Sequence, residues 1–183
     1  KNARIWSNEA LGYGGGILFR NLGTTPFILS NIRFQDNVAG ISGGGVSIIG
    51  TNGSGVIANN TFVENQAIAF GGDIHAAPDA SGDGVWIWGN LFGYDNSNSA
   101  VYVSETSNGS VAFNSCYQPG MQCYSMPVEA NIGLNEQEDP LYTNLSVDGN
   151  PSNDDLTLSL TSPALNSGPI QGTGPSFYTN WTD

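Results

Sequence analysis

The chain has 183 residues, with 4 Lys and Arg against 16 Asp and Glu, and a net charge of −12. That balance excludes a nucleic-acid partner, whose phosphates would be repelled, and disfavours acidic polysaccharides unless a metal ion bridges the two. No run of ~18 apolar residues offers a membrane-spanning helix, and 25 glycines with abundant asparagine point to turns and short strands.

The first recognisable stretch, IWSNEALGYGGGI (Ile5–Ile17), returns as FQDNVAGISGGGV (Phe34–Val46), as FVENQAIAFGGDI (Phe62–Ile74) and, three residues shorter, as FGYDNSNSAV (Phe92–Val101). Its first anchor falls at Ile5, Phe34, Phe62 and Phe92, spaced 29, 28 and 30. Its second falls at Ile17, Val46, Ile74 and Val101, spaced 29, 28 and 27. A period of this length signals a solenoid or array. After each second anchor the chain alternates, as in Ile17-Leu18-Phe19 and Val46-Ser47-Ile48, which is the pattern of a strand with one buried face. Before the first anchors stand short apolar runs, PFILSNIRF, GVIANNTF, GVWIWGNLF and SVAFNSC, bounded by Gly, Ser and Asn. No segment carries a helical period. Each repeat therefore holds two or three strands and cannot bury its apolar face alone. Stacked repeats can, with each strand pairing about 4.8 Å from its counterpart one turn away. The expectation is an all-β, right-handed parallel β-helix of four to five turns of 28–30 residues. An antiparallel sandwich is the alternative, but it does not require repetition in register.

Within the repeat, Asn8, Asn37 and Asn65 follow the first anchor by three residues, with Asp95 beside Asn96 in the fourth copy. Asn tolerates left-handed backbone, and its amide can bond the neighbouring turn. A second column, Asn60, Asn90 and Asn114, precedes the anchors by two. The glycine runs at 14–16, 43–45 and 71–72 supply corner angles, and no Lys or helix follows to make them a phosphate loop.

Further along, CYQPGMQC places Cys116 and Cys123 on either side of a Pro-Gly turn. A local disulfide is expected, which suits an exported protein at the cell surface or in the extracellular space. Sequons begin at Asn52, Asn59, Asn108, Asn144 and Asn180. Residues 139–168 are expected to close the coil, with Leu156, Leu158 and Leu160 turned inward, making 1–168 one β-helix domain. Residues 169–183 form a tail with Phe177, Tyr178 and Trp181. The chain starts almost on a repeat anchor. That predicts either earlier turns or a cover for the bare strand edges.

Candidate chemistry is sparse. The position after the second anchor reads Leu18, Ser47, His75 and Tyr102, so His75 should face solvent. Asp73, Asp79 and Asp83 lie near it in GGDIHAAPDASGDG. Three carboxylates at a loop can bind Ca²⁺ or act as an acid/base pair, and a plain polar loop is the favoured reading of them. Asp154-Asp155 reads as a turn cap. Arg20 and Arg33 are candidates to share a face, and Trp86 and Trp88 share one that is either core or a sugar-stacking platform.

The FxxN and GG-x-[ILV] pattern, Phe34-Gln-Asp-Asn37 with Gly44-Gly45-Val46 and Phe62-Val-Glu-Asn65 with Gly71-Gly72-Asp73-Ile74, resembles the repeat of polymorphic outer-membrane proteins and other bacterial β-helix surface proteins. The first copy departs with Ile5, the third reads as an insertion of Asp73, and the fourth lacks the glycines, so its corner should be built differently. DPLY (Asp139–Tyr142) and DDLTLSLTSPALNSG (Asp154–Gly168) are similar to the closing segment of secreted β-helix proteins. The resemblance implies the fold, and that architecture carries lyases, hydrolases, adhesins and passive stalks alike. Lyases of this shape use an Arg or Lys base, often with Ca²⁺. Here only Lys1, Arg4, Arg20 and Arg33 are available, and the polygalacturonase set of carboxylates, His and Lys is missing. The functional expectation is therefore an extracellular, non-catalytic solenoid with a structural or adhesive role and no obligatory cofactor. Its partners are other copies of itself or neighbouring surface proteins, with head-to-tail stacking through Phe177, Tyr178 and Trp181. The alternatives are a polysaccharide-active enzyme using Asp73, His75, Asp79 and Asp83, or a glycan-binding module on Tyr102, His75 and an exposed Trp.

Overall fold

The computed structural model describes residues 3–52, 54–78, 84–94, 97–104, 109–112, 114–117, 122–127, 131–133, 135, 137–146 and 150–164. The first coil contains β1 (Ala3–Trp6), β2 (Glu9–Ala10), β3 (Ile17–Gly23) and β4 (Phe27–Ser30). The second repeats it as β5 (Ile32–Gln35), β6 (Val38–Ala39), β7 (Val46–Thr51) and β8 (Gly55–Ala58). The third follows as β9 (Thr61–Val63), β10 (Gln66–Ala67), β11 (Ile74–Ala77) and β12 (Val85–Trp88). The fourth has β13 (Leu91–Gly93), β14 (Ser99–Val103) and β15 (Ser110–Ala112). Three short strands of a further course are β16 (Ser115–Tyr117), β17 (Gln122–Ser125) and β18 (Asn131–Gly133).

Equivalent strands pair in parallel and in sequence register. The order β1-β5-β9-β13-β16 makes one five-stranded sheet, β3-β7-β11-β14-β17 a second and β4-β8-β12-β15-β18 a third, and β2-β6-β10 form a narrow ladder at a corner. The chain is a parallel β-solenoid of about four turns, and the anchors are its core columns. Phe34 lies opposite Ile5 and Phe62, and Phe62 opposite Phe92. The rings of Phe34 and Phe62 stack at 4.7 Å, those of Phe62 and Phe92 at 5.1 Å. Cys116 takes the next place in this column and is bonded to Cys123, with Cα atoms 6.0 Å apart. Val46, Ile74 and Val101 form a second column and Leu29, Ile57, Ile87 and Val111 a third, all in one cluster.

The corners differ in detail from the sequence reading. The left-handed residues are not the asparagines of the Asn8 column but their predecessors, Ser7, Asp36, Glu64 and Tyr94, at φ of 50°, 52°, 57° and 61°. At the next corner Asn31, Asn59 and Gly89 take φ of 53°, 55° and 62°, again one residue before the inward position. The outer residue makes the bend and frees the next side chain to turn in. At the third corner, Gly14, Gly43 and Gly71 have φ of 69°, 70° and 58°, and a Cβ on Gly43 would stand 2.4 Å from the Val46 carbonyl oxygen. Asp73 is not an insertion. It takes the place of Gly45 one coil on, since Val46 N–H donates to the Asp73 carbonyl as Ile17 N–H donates to that of Gly45. In the fourth coil Ser99 and Ala100 stand at the glycine positions and accept from Gly72 and Asp73 N–H.

The segment after residue 139 does not add a parallel course. Its strands β19 (Tyr142–Asn144) and β20 (Asp155–Leu158) pair antiparallel with each other. Leu156 and Leu158 are half-buried, but Leu160 is 96% exposed rather than turned inward, because it lies beyond the paired strand. The hairpin lies against the outer face of the first sheet, where Arg33 donates to the Pro151 carbonyl (3.2 Å) and Gln35 to Asp154. Tyr94 OH donates to Asp139 (3.1 Å) nearby.

Candidate functional site

Two amide ladders account for the asparagine columns. Asn8 Nδ2 donates to Asn37 Oδ1, and Asn37 Nδ2 to Asn65 Oδ1, each at 2.8 Å. The same nitrogens reach the Ile5 and Phe34 carbonyls from Asn37 and Asn65, at 2.8 and 3.1 Å. The second ladder runs from Asn60 to Asn90 and from Asn90 to Asn114 at 3.0 Å, then on to Asn135 at 3.0 Å. Asn135 escaped the sequence reading because it follows Asn114 by 21 residues, well short of the repeat. A buried amide whose donors and acceptors are filled fixes register, and one left unfilled is destabilising.

The first ladder ends on Asp73. Asn65 Nδ2 donates to Asp73 Oδ1 at 2.8 Å, and Asp73 is wholly buried. Its carboxylate is turned toward the inner corner. His75, two residues on, is on the outer face of β11, opposite in direction to Ile74 and Ala76 in the core. It does not face solvent as expected: it is 7% exposed. Its ring stacks on Tyr102 at 5.4 Å and lies 5.8 Å from Tyr13, and Nδ1 is 3.0 Å from Ser47 Oγ. Burial lowers its pKa to about 4, so the ring is neutral at pH 7. The Ser47–His75 pair has the spacing of a nucleophile and its base, but both side chains are enclosed. Asp79 and Asp83 lie outside the described residues, as do Phe177, Tyr178 and Trp181. No group of three or more His, Cys, Asp or Glu suited to a metal ion occurs among the described residues.

Arg20 and Arg33 do not share a face, since they belong to β3 and β5 in different sheets. Arg33 lies opposite Arg4 instead. The two arginines, with Ala3, Asn31, Ile32, Asn59 and Thr61, line an open groove of about 350 Å³. Burial, then Arg4, lowers the Arg33 pKa, and Asp154 opposes that. Arg33 also donates to Gln35, whose amide donates to Glu64 (3.1 Å) and Asp154. Its carboxylate partner Asp154 is 3.9 Å away. Arg33 thus fastens the hairpin. Asp154 accepts from Ser146 N–H, and Asp155 from Thr157 N–H, at 2.8 and 3.0 Å, the geometry of turn caps. The groove offers positive charge to an anion, with no carboxylate in its lining to act as an acid.

Trp86 and Trp88 lie on the outer face of β12, because Val85 and Ile87, which alternate with them, belong to the core. Trp88 is nevertheless buried, and Trp86 is half-buried. The open apolar surface lies elsewhere. Among the described residues, six of the ten exposed large hydrophobic side chains, Leu11, Tyr13, Leu18, Ile41, Ile68 and Phe70, gather around the glycine corner and its adjoining sheet. Sequence reasoning placed Leu18 outward but passed over the other five, although large apolar residues between the strands were the available signal. Compared with protein-family models, with curated proteins and with solved structures, the chain finds no match.

Proposed function

We propose that this protein is a non-catalytic β-solenoid of the cell surface or extracellular space, with a structural or adhesive role and a tendency to associate with copies of itself. The observation that carries this reading is how Asp73 and His75 are used. One ends an amide ladder, and the other is sealed between Tyr13 and Tyr102. The likeness of the repeats to those of polymorphic outer-membrane proteins supports the placement at a surface, as does the Cys116–Cys123 pair. Stacking end to end through the aromatic residues of 169–183 belongs to the same proposal.

The test is a depolymerisation screen on plant, algal and bacterial polysaccharides, with and without Ca²⁺, run beside adherence of the labelled protein to cells and surfaces. Adherence without turnover is the expected result. Turnover abolished by Asp73→Asn or His75→Phe would replace this reading with that of an enzyme. The Arg4–Arg33 groove favours a second reading, binding of an acidic saccharide without cleavage. Retention on a uronate column that is lost in Arg4→Ala would select it.

A further inference from the structure

The glycine corner carries an ordered relief. In the first coil the chain reads Leu11-Gly12-Tyr13, in the second Gly40-Ile41-Ser42 and in the third Ile68-Ala69-Phe70. Backbone bonding sets these rows in register: Gly40 N–H donates to the Ala10 carbonyl, Ile41 N–H to that of Gly12 and Ala69 N–H to that of Ile41, and Ser42 bridges Phe70. Large and small residues therefore alternate both along each row and from coil to coil. The exposures follow the same alternation. Leu11, Ile68 and Phe70 are 93%, 78% and 48% exposed, with Tyr13 and Ile41 also open, whereas Gly40 is half-buried and Ser42 is buried. Gly12 and Ala69 add no bulk to the rows they occupy.

This surface is also free of charge. Over the matched residues 10–19, 39–48 and 67–76 the one charged residue is Asp73, which is wholly buried, and the exposed Glu9 and Arg20 stand at the two borders of the first row. All the other acidic and basic side chains behind the net charge of −12 lie outside these segments. Charge depletion with exposed aromatic and aliphatic groups is the composition of an interface core.

We infer that this corner docks a second copy of the same chain, with the two solenoids side by side and antiparallel. The inference rests on the self-associating, non-catalytic reading above and names its partner surface. Two observations select a second copy. A two-fold contact must be self-complementary, and an alternating relief shifted by one coil is its own complement. Turned about a two-fold axis across the coils, Ile68 meets the partner's Gly40 and Ile41 meets the partner's Ala69, beside the Phe70 ring, which lies on Tyr102 of its own chain at 4.6 Å. A solenoid of the same ~4.8 Å rise keeps those knobs and holes in step. Charge selects likewise, because two strongly acidic copies approach most favourably where neither presents a carboxylate.

The test is sedimentation equilibrium on the whole chain, wild type and two variants, Ile41→Lys and Ala69→Asp, with far-UV circular dichroism and thermal melts to verify that each folds. The wild type is expected to dimerise with concentration. Each variant alone is expected to associate at least about tenfold more weakly, since its altered residue meets a neutral one in both halves of the contact. Mixed one to one, the two variants are expected to recover the dimer, because the ammonium introduced at position 41 of one copy then meets the carboxylate introduced at position 69 of the other. A monomeric wild type, undiminished association of Ile41→Lys, or a mixture that stays monomeric would overturn the inference. A monomer that still adheres to surfaces would overturn it and leave the adhesive reading in place. A dimer of this register that cleaves a polysaccharide would do the reverse.

Discussion

Asp73 and His75 are separated by one residue of a strand and belong to different environments. Asp73 supplies the acceptor that ends the Asn8–Asn37–Asn65 ladder. Asp73→Ala leaves the Asn65 amide short of an acceptor in a buried corner, so a loss of roughly 1–3 kcal/mol is expected from urea denaturation. Asp73→Asn keeps an acceptor oxygen and should lose less. His75 behaves differently, because its ring is held neutral by burial with a pKa of about 4 against an ordinary 6.5. Below pH 6.5 the unfolded chain takes up a proton that the folded chain refuses, so stability falls as pH drops from 6.5 toward 4. The loss attributable to this group is on the order of 3 kcal/mol at about pH 4. Denaturation of wild type and His75→Phe at neutral pH and again near the lowered pKa isolates it: the pH-dependent difference between the two should follow the imidazole. A difference independent of pH would show that His75 titrates normally. Tyr13 of the first coil reaches His75 of the third, with its ring 5.8 Å away, and Ser42 and Ser47 of the coil between are both buried.

At the scale of strands and turns, the repeat was legible because identical anchors must stack. Phe34, Phe62 and Phe92 could be placed in one column before any coordinate was known, and Phe62→Ala is expected to cost about 3–5 kcal/mol through the cavity it leaves in the stack, read from chemical denaturation. The bends were less legible. Ser7, Asp36, Glu64 and Tyr94 share the left-handed conformation but no chemical type, so no turn residue marks their column. Stacking imposes that conformation from one coil to the next, overriding a preference worth roughly 1–2 kcal/mol per residue. The pairing of the closing strands was illegible for a related reason. Alternation in Asp155–Leu158 identifies a strand but is blind to whether its partner runs parallel or antiparallel. Burial against the solenoid has left the Tyr142 hydroxyl without a hydrogen-bond partner, and this burial raises its pKa well above the ordinary value. Tyr142→Phe is therefore expected to be neutral or stabilising by up to about 1 kcal/mol, measured as a shift in Tm. A clear loss of stability would show that the hydroxyl is satisfied.

For the molecule as a whole, core and surface were read from sequence with unequal success. Inward columns announce themselves by periodicity, whereas the outward relief at residues 11–13, 40–42 and 68–70 carries no motif and emerges only once the register is fixed. The far end of the described solenoid is tied by the Cys116–Cys123 bond, which closes a loop with a sequence separation of 7. Reduction should lower stability by about 2–3 kcal/mol if loop entropy governs, and a thermal melt with and without reductant reads that directly. The corner surface belongs to the first three coils, so reduction should leave self-association intact at temperatures where the solenoid stays folded. The central claim, a solenoid that works by assembling rather than by catalysis, is tested most directly by negative-stain electron microscopy of the purified protein. Ordered assemblies of two or more copies, present with or without Ca²⁺ and losing the side-by-side contact in Ile41→Lys, are the predicted result. Discrete single particles of the wild type at every concentration would contradict it.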